Sequence, residues 1–302
     1  MIPHLAKLLT RFGVLIFCLI CSLQSQSVKA VDIIRFESGQ YDSDQRLRYK
    51  KEVLTLAMER TKDTYGPYEI RTNAPRMNSL RAIQELETGE LINVFIALTN
   101  EDWEKRTIPI RIPVRRGILN YRLLLIHKDS LPYFTNIETV DELKALNVGL
   151  RRSWMTWRVL NHLGFTIVSS SHYDSLISML QHQRFHYIPR GINEIYDELN
   201  RHKTTRSNLM VAPNIALYIP APAYIFVSHN EPRLAKRLSL GMTELVEDGS
   251  LEQLFNEYYG DLIKRANLQQ RVIIDVGNHL LPDTVPLNES KLWWNPGLIE
   301  MR

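Results

Sequence analysis

Hydrophobic and polar positions alternate along the chain in patterns typical of helices and of strands. Apolar residues recur at helical spacing at Leu80, Ile83 and Leu86, and this predicted helix ends near a glycine and leads into the apolar strand 91–97. Residues 180–194 repeat the unit: an amphipathic helix ends, a polar break follows, and a short strand runs into another helix. Two copies of one helix-to-strand unit predict two similarly built α/β lobes.

The rest of the pattern predicts a mixed sheet flanked by helices in each lobe. Strands are predicted at residues 31–36, 68–72, 91–97, 121–127, 148–150, 166–168, 223–227 and 271–276. Capping boxes beginning at Thr139 and Ser250, and a proline at position 232, indicate where three of the helices start.

The order of these elements predicts the domain boundaries. Residues 31–127 and 223–276 are assigned to lobe 1 and residues 128–222 to lobe 2, so the chain crosses between lobes twice. The remaining residues, 277–302, are rich in proline, contain Trp293 and Trp294, and show no regular period. We expect this tail to pack on the surface.

The first thirty residues have the pattern of a secretory signal peptide. His4, Lys7 and Arg11 precede the apolar run 12–23, and residues 27–30 end in a small-residue cleavage site. An uncleaved anchor is the alternative, although the run is shorter than the ~20 residues of a spanning helix. We therefore expect export to a bacterial periplasm.

Removal of this segment would change the chemistry of the chain. Cys18 and Cys21 lie within it, so the mature chain would have no disulfide and no thiolate nucleophile or metal ligand. The segment carries three cations and no anion, so the formal charge would fall from +4 to +1. A nearly neutral chain does not indicate nucleic-acid binding.

Motifs for catalysis and metal binding are absent from the sequence. No phosphate-binding glycine loop, nucleophile elbow or zinc-protease motif occurs. Residues 170–174 contain the letters of a catalytic triad, but neighbouring residues cannot converge as a triad requires. His182 and His186 have a metal-ligand spacing, yet the predicted helix ends between them and no third ligand accompanies them. We expect no enzyme activity, cofactor or metal.

Cations and aromatic residues follow the predicted strand ends, where ligands gather in open α/β sheets. Arginine can hold a carboxylate through paired hydrogen bonds, a helix N-terminus favours an anion, and aromatic rings supply apolar contact area. For each arginine a solvated surface charge is the alternative, and for Trp154 a packing role. The candidate ligand-binding residues are Glu37, Tyr41, Trp103, Arg106, Arg115, Ser153, Trp154, Thr156, Tyr187 and Arg190.

The chain resembles the bacterial extracellular solute-binding proteins of family 3, which are two-lobed periplasmic receptors with a type II binding fold. The resemblance covers residues 31–259 and rests on segments 81–93, 99–106, 148–150, 180–187 and 234–250. It implies a hinged monomer that binds a small molecule and contacts a membrane permease. It also implies that Arg106 matches the arginine that grips the α-carboxylate of the ligand, and that residues 152–154 form the lobe-two loop at a helix N-terminus.

One departure from the family concerns the ammonium group of an amino-acid ligand. Family members place an aspartate at the end of the lobe-two strand, whereas residues 186–191 here contain no acid and Glu194 is the next one. Burying an ammonium without a carboxylate partner is costly. We therefore expect an anionic or non-zwitterionic ligand that bears a carboxylate.

Two other functions stay open on the same fold. The protein could be a receptor that reports its ligand to a membrane kinase or cyclase instead of feeding a permease. It could also be a dehydratase-like enzyme, for which Glu37, Glu194 and His186 are the candidate acids and bases.

Overall fold

The computed structural model describes residues 31–38, 45–201 and 208–297, so the predicted signal peptide and Tyr41 lie outside the described residues. The strands are β1 Asp32–Glu37, β2 Tyr68–Ala74, β3 Val94–Leu98, β4 Ile108–Ile110, β5 Tyr121–His127, β6 Val148–Leu150, β7 Ile167–Ser169, β8 Tyr187–Gly191, β9 Leu209–Tyr218, β10 Ala223–Val227 and β11 Val272–Asp275. The helices are α1 Gln45–Arg60, α2 Lys62–Tyr65, α3 Ser79–Thr88, α4 Glu101–Arg106, α5 Val140–Lys144, α6 Met155–His162, α7 Tyr173–Gln181, α8 Ile192–Arg201, α9 Pro232–Glu247 and α10 Ser250–Ala266.

The strands form two regions, which we call the first and second lobes. In the first lobe β1 pairs with β2 in parallel, and β10 pairs with both β3 and β4 in antiparallel fashion. The second lobe contains a six-stranded mixed sheet of order β11-β9-β5-β8-β6-β7. Helices flank both regions, so the predicted α/β class with helix-flanked sheets is confirmed. The sheet of the second lobe is mixed as predicted, whereas the first lobe has one parallel and one antiparallel sheet.

Two strands lie in a different lobe from the one predicted. Strand β5 hydrogen-bonds to β8 and β9, and β11 pairs with β9, so both belong to the second lobe and not to lobe 1. All seven residues of β5 are buried. An apolar strand of this kind needs cover on both faces, which a central position in a large sheet provides.

The core is divided by the six-stranded sheet. Leu123 and Leu125 of β5 point into one apolar cluster, whereas Leu124 and Ile126 point into a second cluster on the opposite face. This alternation follows from the two-residue period of a strand. The first cluster also contains Ile34 and other first-lobe residues, so the two lobes share apolar contacts.

The segments that connect the lobes are bonded to one another. The backbone oxygen of Asn120, just before β5, accepts from the backbone N–H of Ile219 at 2.8 Å, and its Oδ1 accepts from that of Ala221 at 2.9 Å. Residues 267–271 connect α10 of the first lobe to β11 of the second. The first two connections are therefore in contact at the lobe junction, and residues 267–271 make a third connection where the sequence pattern predicted two.

The C-terminal tail packs against this junction. The backbone N–H of Trp294 donates to the carbonyl of Arg116 at 2.7 Å. Gly117 has a φ of +81°, and a Cβ at this position would lie 2.8 Å from the Trp293 ring. Both the left-handed backbone and the close ring therefore favour glycine here.

The helix starts agree with the sequence pattern except in one case. Thr139 and Glu142 form the predicted capping box of α5, and Pro232 is in the first turn of α9. The capping prediction for Ser250 is wrong, because the N-cap of α10 is Gly249, with a φ of +79°. Among the helices of the described ranges, none combines the length and the apolarity that crossing a membrane requires.

Candidate functional site

A cavity of about 260 Å³ lies where the two lobes meet. From the first lobe it is lined by the end of β1, the first turns of α1, the end of β3 and the start of β10. From the second lobe it is lined by β5 and the first turn of α8. The charged side chains around it are Glu37, Arg46, Lys50, Arg76, Arg115, Arg122 and Glu194.

A buried ion pair forms the first-lobe wall. Glu37 ends β1, and its Oε1 lies 2.9 Å from the Nζ of Lys50 on α1, with side chains that are 10% and 15% exposed. The ammonium also lies 5.8 Å and 5.4 Å from the ring centroids of Phe36 and Phe95. Burial lowers the pKa of Lys50, and the carboxylate of Glu37 opposes that shift.

Arg115 contributes a second buried cation from the segment after β4. Its Nε donates to the hydroxyl of Tyr259 at 3.0 Å, and the hydroxyl of Tyr49 donates to the neighbouring carbonyl of Val114 at 2.6 Å. Within the described part of the chain, no carboxylate lies within the 4.0 Å ion-pair distance of the Arg115 guanidinium. The hydrogen-bond partner of this buried charge is therefore neutral. Burial lowers the pKa of Arg115, but Tyr259, Tyr49 and the more distant charge of Glu194 raise it by more.

The second-lobe wall combines Arg122 of β5 with Glu194 of α8. The Nη1 of Arg122 lies 3.9 Å from the Oε1 of Glu194. Burial raises the pKa of Glu194, but the charges of Arg190, Arg122 and other arginines lower it by more, and the net shift is downward. Glu194 is thus ionised at neutral pH.

Behind Glu194, Arg190 is enclosed by its own partners. Its Nε and Nη2 donate to Glu198 at 2.8 Å and 2.5 Å, and Nη2 also contacts Glu194. The guanidinium lies 4.4 Å from the ring centroid of Trp154 and 5.0 Å from that of Tyr173. Because Tyr173 also donates to Glu198 at 2.5 Å, the network holds Glu194 in place from the side away from the cavity.

Comparison with known proteins relates this architecture to solved structures. No protein-family model matches the sequence, and no curated protein matches it. A structure of an ancestral arginine-binding protein bound to arginine aligns with 70% of this chain and 88% of its own, at 14% identity and a TM-score of 0.50. An arginine-specific periplasmic binding protein of Salmonella typhimurium aligns over 76% and 100% of the two chains, at 14% identity and a TM-score of 0.51.

A third match is a histidine kinase sensor domain with similarity to periplasmic binding proteins. It covers 78% of this chain and 98% of its own chain, at 15% identity and a TM-score of 0.51. The chain has the type II periplasmic-binding-protein fold. The type II prediction is thereby confirmed, and the cavity lies between the two lobes of this fold.

Within the type II fold, three of the predicted ligand-binding residues lie away from the cavity. Arg106 donates to both carboxylate oxygens of Glu87 at 2.7 Å each. Trp103 is buried and stacks on Phe95, with ring centroids 5.7 Å apart. Tyr187 is fully buried in the second-lobe core, and burial raises the pKa of its hydroxyl.

The predicted loop before α6 does not line the cavity either. Ser153 is exposed and Thr156 is buried, while Trp154 packs on Arg190. Of the predicted site residues that the structure describes, it brings Glu37 and Arg115 together at the cavity.

Several cavity residues were missed by the sequence prediction. Arg122 is a cation inside an otherwise apolar strand, and Lys50 follows the buried Tyr49 on the core-facing side of α1. Asn193 and Glu194 open α8 directly after β8. A charge within an apolar run is a signal that could have identified Arg122, since such a charge must find a partner or a ligand. Lys50 stands in a charged stretch of sequence and carries no such signal.

The described residues offer no obvious metal site. Across residues 31–38, 45–201 and 208–297, no group of three or more histidine, cysteine, aspartate or glutamate side chains could hold a metal ion. The charged side chains that both lobes contribute to the cavity are suited to binding a small, polar molecule.

Proposed function

We propose that the protein is a periplasmic solute-binding protein that closes its two lobes around a small, carboxylate-bearing molecule. The observation that carries the proposal is Arg115, whose buried guanidinium lines the cavity and has, among the described residues, only a neutral hydroxyl as its hydrogen-bond partner. A buried cation is costly without an anion. A ligand carboxylate would supply that anion through paired hydrogen bonds.

The position and size of the cavity support the same function. Glu37 and Leu98 end their strands at its wall, and ligands of open α/β sheets bind beyond strand ends. Its volume of about 260 Å³ is slightly below the ~300–1,000 Å³ of drug-sized sites, which favours a small metabolite. Because both lobes contribute side chains, ligand binding would favour the closed arrangement.

The fold and the N-terminal pattern support the cellular context. Two of the matched structures are of proteins described as binding arginine, and one of these is periplasmic. The N-terminal pattern of residues 1–30 is that of an exported protein. A membrane permease is accordingly the partner that we propose for the closed form.

The test is ligand screening by thermal shift, followed by calorimetry, with an arginine outside the cavity as the control. We expect a small organic acid to raise the unfolding temperature and Arg115→Ala to weaken its binding by about 10- to 150-fold, since a hydrogen bond to a charged group contributes ~1.5–3 kcal/mol. Arg111→Ala should bind normally, because Arg111 is 43% exposed and pairs with Glu104. A full screen without a hit, or equal binding by the Arg115 variant, would contradict the proposal.

Ligand sensing is a second candidate function, favoured by the match to a histidine kinase sensor domain. The cavity would serve both functions, and only the partner would differ. Deleting the gene would separate them. Loss of ligand uptake indicates transport, whereas unchanged uptake with loss of a ligand-dependent transcriptional response indicates sensing. Turnover of the ligand that disappears in Glu37→Gln would indicate an enzyme instead.

A further inference from the structure

The two carboxylates that line the cavity among the described residues are already paired with cations of the protein. Glu37 lies 2.9 Å from the Nζ of Lys50, and that ammonium is also held near two phenylalanine rings. Glu194 contacts Arg190 and lies 3.9 Å from Arg122. An incoming ammonium group would have to displace one of these cations to reach a carboxylate.

The cations of the site are not fully balanced by these carboxylates. Arg115 has a neutral hydroxyl as its hydrogen-bond partner, and the ion pair of Arg122 is long, at 3.9 Å. Arg190 is not available to a ligand, because Glu198 accepts two of its hydrogen bonds and two aromatic rings cover it. The field in the cavity therefore favours a negative group and opposes a positive one.

We infer that the ligand is an acid without an ammonium group, such as a 2-oxo, 2-hydroxy or dicarboxylic acid, and not an amino acid. The inference rests on the proposed function of the cavity. Arg115 and Arg122 would bind the acidic group or groups of the ligand. The two ion pairs, Glu37–Lys50 and Glu194–Arg190, would withhold their carboxylates from any amine.

Matched pairs of compounds test the inference on the unmodified mature protein. Pyruvate and lactate are compared with alanine, 2-oxoglutarate and glutarate with glutamate, and arginine is added, all by calorimetry. We expect at least one acid to bind at least tenfold more tightly than its amino-acid counterpart. Amino acids that bind as tightly as the acids, or more tightly, would overturn the inference while leaving the proposed function intact. Binding by neither class would overturn both.

A variant tests the role of the lysine directly. Lys50→Met keeps an unbranched side chain between the rings and leaves the carboxylate of Glu37 open to the cavity. We expect the ratio of amino-acid to acid affinity to rise at least tenfold in this variant. Lys51→Met, an exposed neighbour on the same helix, should leave the ratio unchanged. An unchanged ratio in Lys50→Met would overturn the role assigned to this lysine, and the compound pairs decide the inference if the variant does not fold.

Discussion

Replacing Arg190 with methionine should strongly destabilise the protein. Arg190 is 9% exposed, and its guanidinium donates twice to Glu198, contacts Glu194, and lies against Trp154 and Tyr173. Methionine fills much of the same volume but removes the positive charge. Two buried carboxylates would then face each other, and Arg122, 3.9 Å from Glu194, would remain as a cation beside one of them. Breaking a buried ion pair from one side costs about 3–5 kcal/mol, and we expect a loss in this range.

Arg106→Met is the matched control, because it removes a guanidinium that is also paired with a carboxylate but is more exposed to solvent. Arg106 also pairs with a carboxylate through two hydrogen bonds, at 2.7 Å each to Glu87. The side chains are 32% and 45% exposed, so water can replace the lost partner. Exposed ion pairs contribute about 0–1 kcal/mol, and we expect a change within that range.

Urea unfolding at neutral pH, followed by circular dichroism, gives the free energy of unfolding of each variant by linear extrapolation. The contrast between the two variants is the informative quantity, since residue type, replacement and hydrogen-bond number are similar. Equal losses in both variants would show that burial does not determine the strength of these ion pairs. A loss below ~1 kcal/mol in Arg190→Met would refute the network that we describe behind Glu194.

Two further predictions concern packing and acid stability. Gly241→Ala should destabilise the protein by about 1–3 kcal/mol, because a Cβ there would lie 2.1 Å from the carbonyl oxygen of Ala57. Gly260→Ala is the control: it lies in a helix with open space around it, and we expect it to stabilise the protein by up to ~1 kcal/mol. Thermal unfolding of the two variants measures both changes. The lowered pKa of Glu194 means that its ionised form stabilises the fold fully above its ordinary pKa of 4.5, and that this stabilisation is lost as the pH falls through the lowered value. Glu194→Gln should therefore show a shallower loss of unfolding free energy between about pH 5 and about pH 3 than the unmodified protein, and an equally steep loss would contradict the assignment.

The fold class could be predicted from the sequence because it depends on local periodicity. The repeated helix-to-strand unit exists in both lobes, as α3 followed by β3 and as α7 followed by β8. Amphipathic spacing and caps such as the Thr139 box are encoded within a few residues. These features need no knowledge of how distant segments meet.

Sheet membership could not be read in the same way. Strand β5 precedes the predicted crossing in sequence, yet it pairs with β8 and β9, which follow it by many residues. An apolar strand carries no local record of which neighbours it will have. The assignment of β5 and β11 to the first lobe failed for this reason, although their existence as strands was predicted.

The arginines show the same limit at the level of the site. Arg106 and Arg115 are both polar positions after predicted strands, and the family resemblance favoured Arg106. The two arginines differ in their partners. Glu87, 19 positions away in the chain, holds Arg106 outside the cavity, whereas Tyr259, 144 positions away, positions Arg115 within it. Long-range partners of this kind decide whether a charge belongs to a surface pair or to a binding site.

Charges next to buried apolar residues would have been a better guide to the site than charges after strand ends. Lys50, Arg122 and Arg190 each lie next to buried apolar residues in the sequence, and all three are largely buried in the fold. The first two line the cavity, and the third holds Glu194 at its wall. Burying a charge is costly unless the charge is paired with an opposite charge or a ligand. The protein meets this cost for Lys50 and Arg190 by pairing them with its own carboxylates. Because these carboxylates are paired with the protein's own cations, Arg115 is left for a ligand anion, and neither Glu37 nor Glu194 is left for an amine.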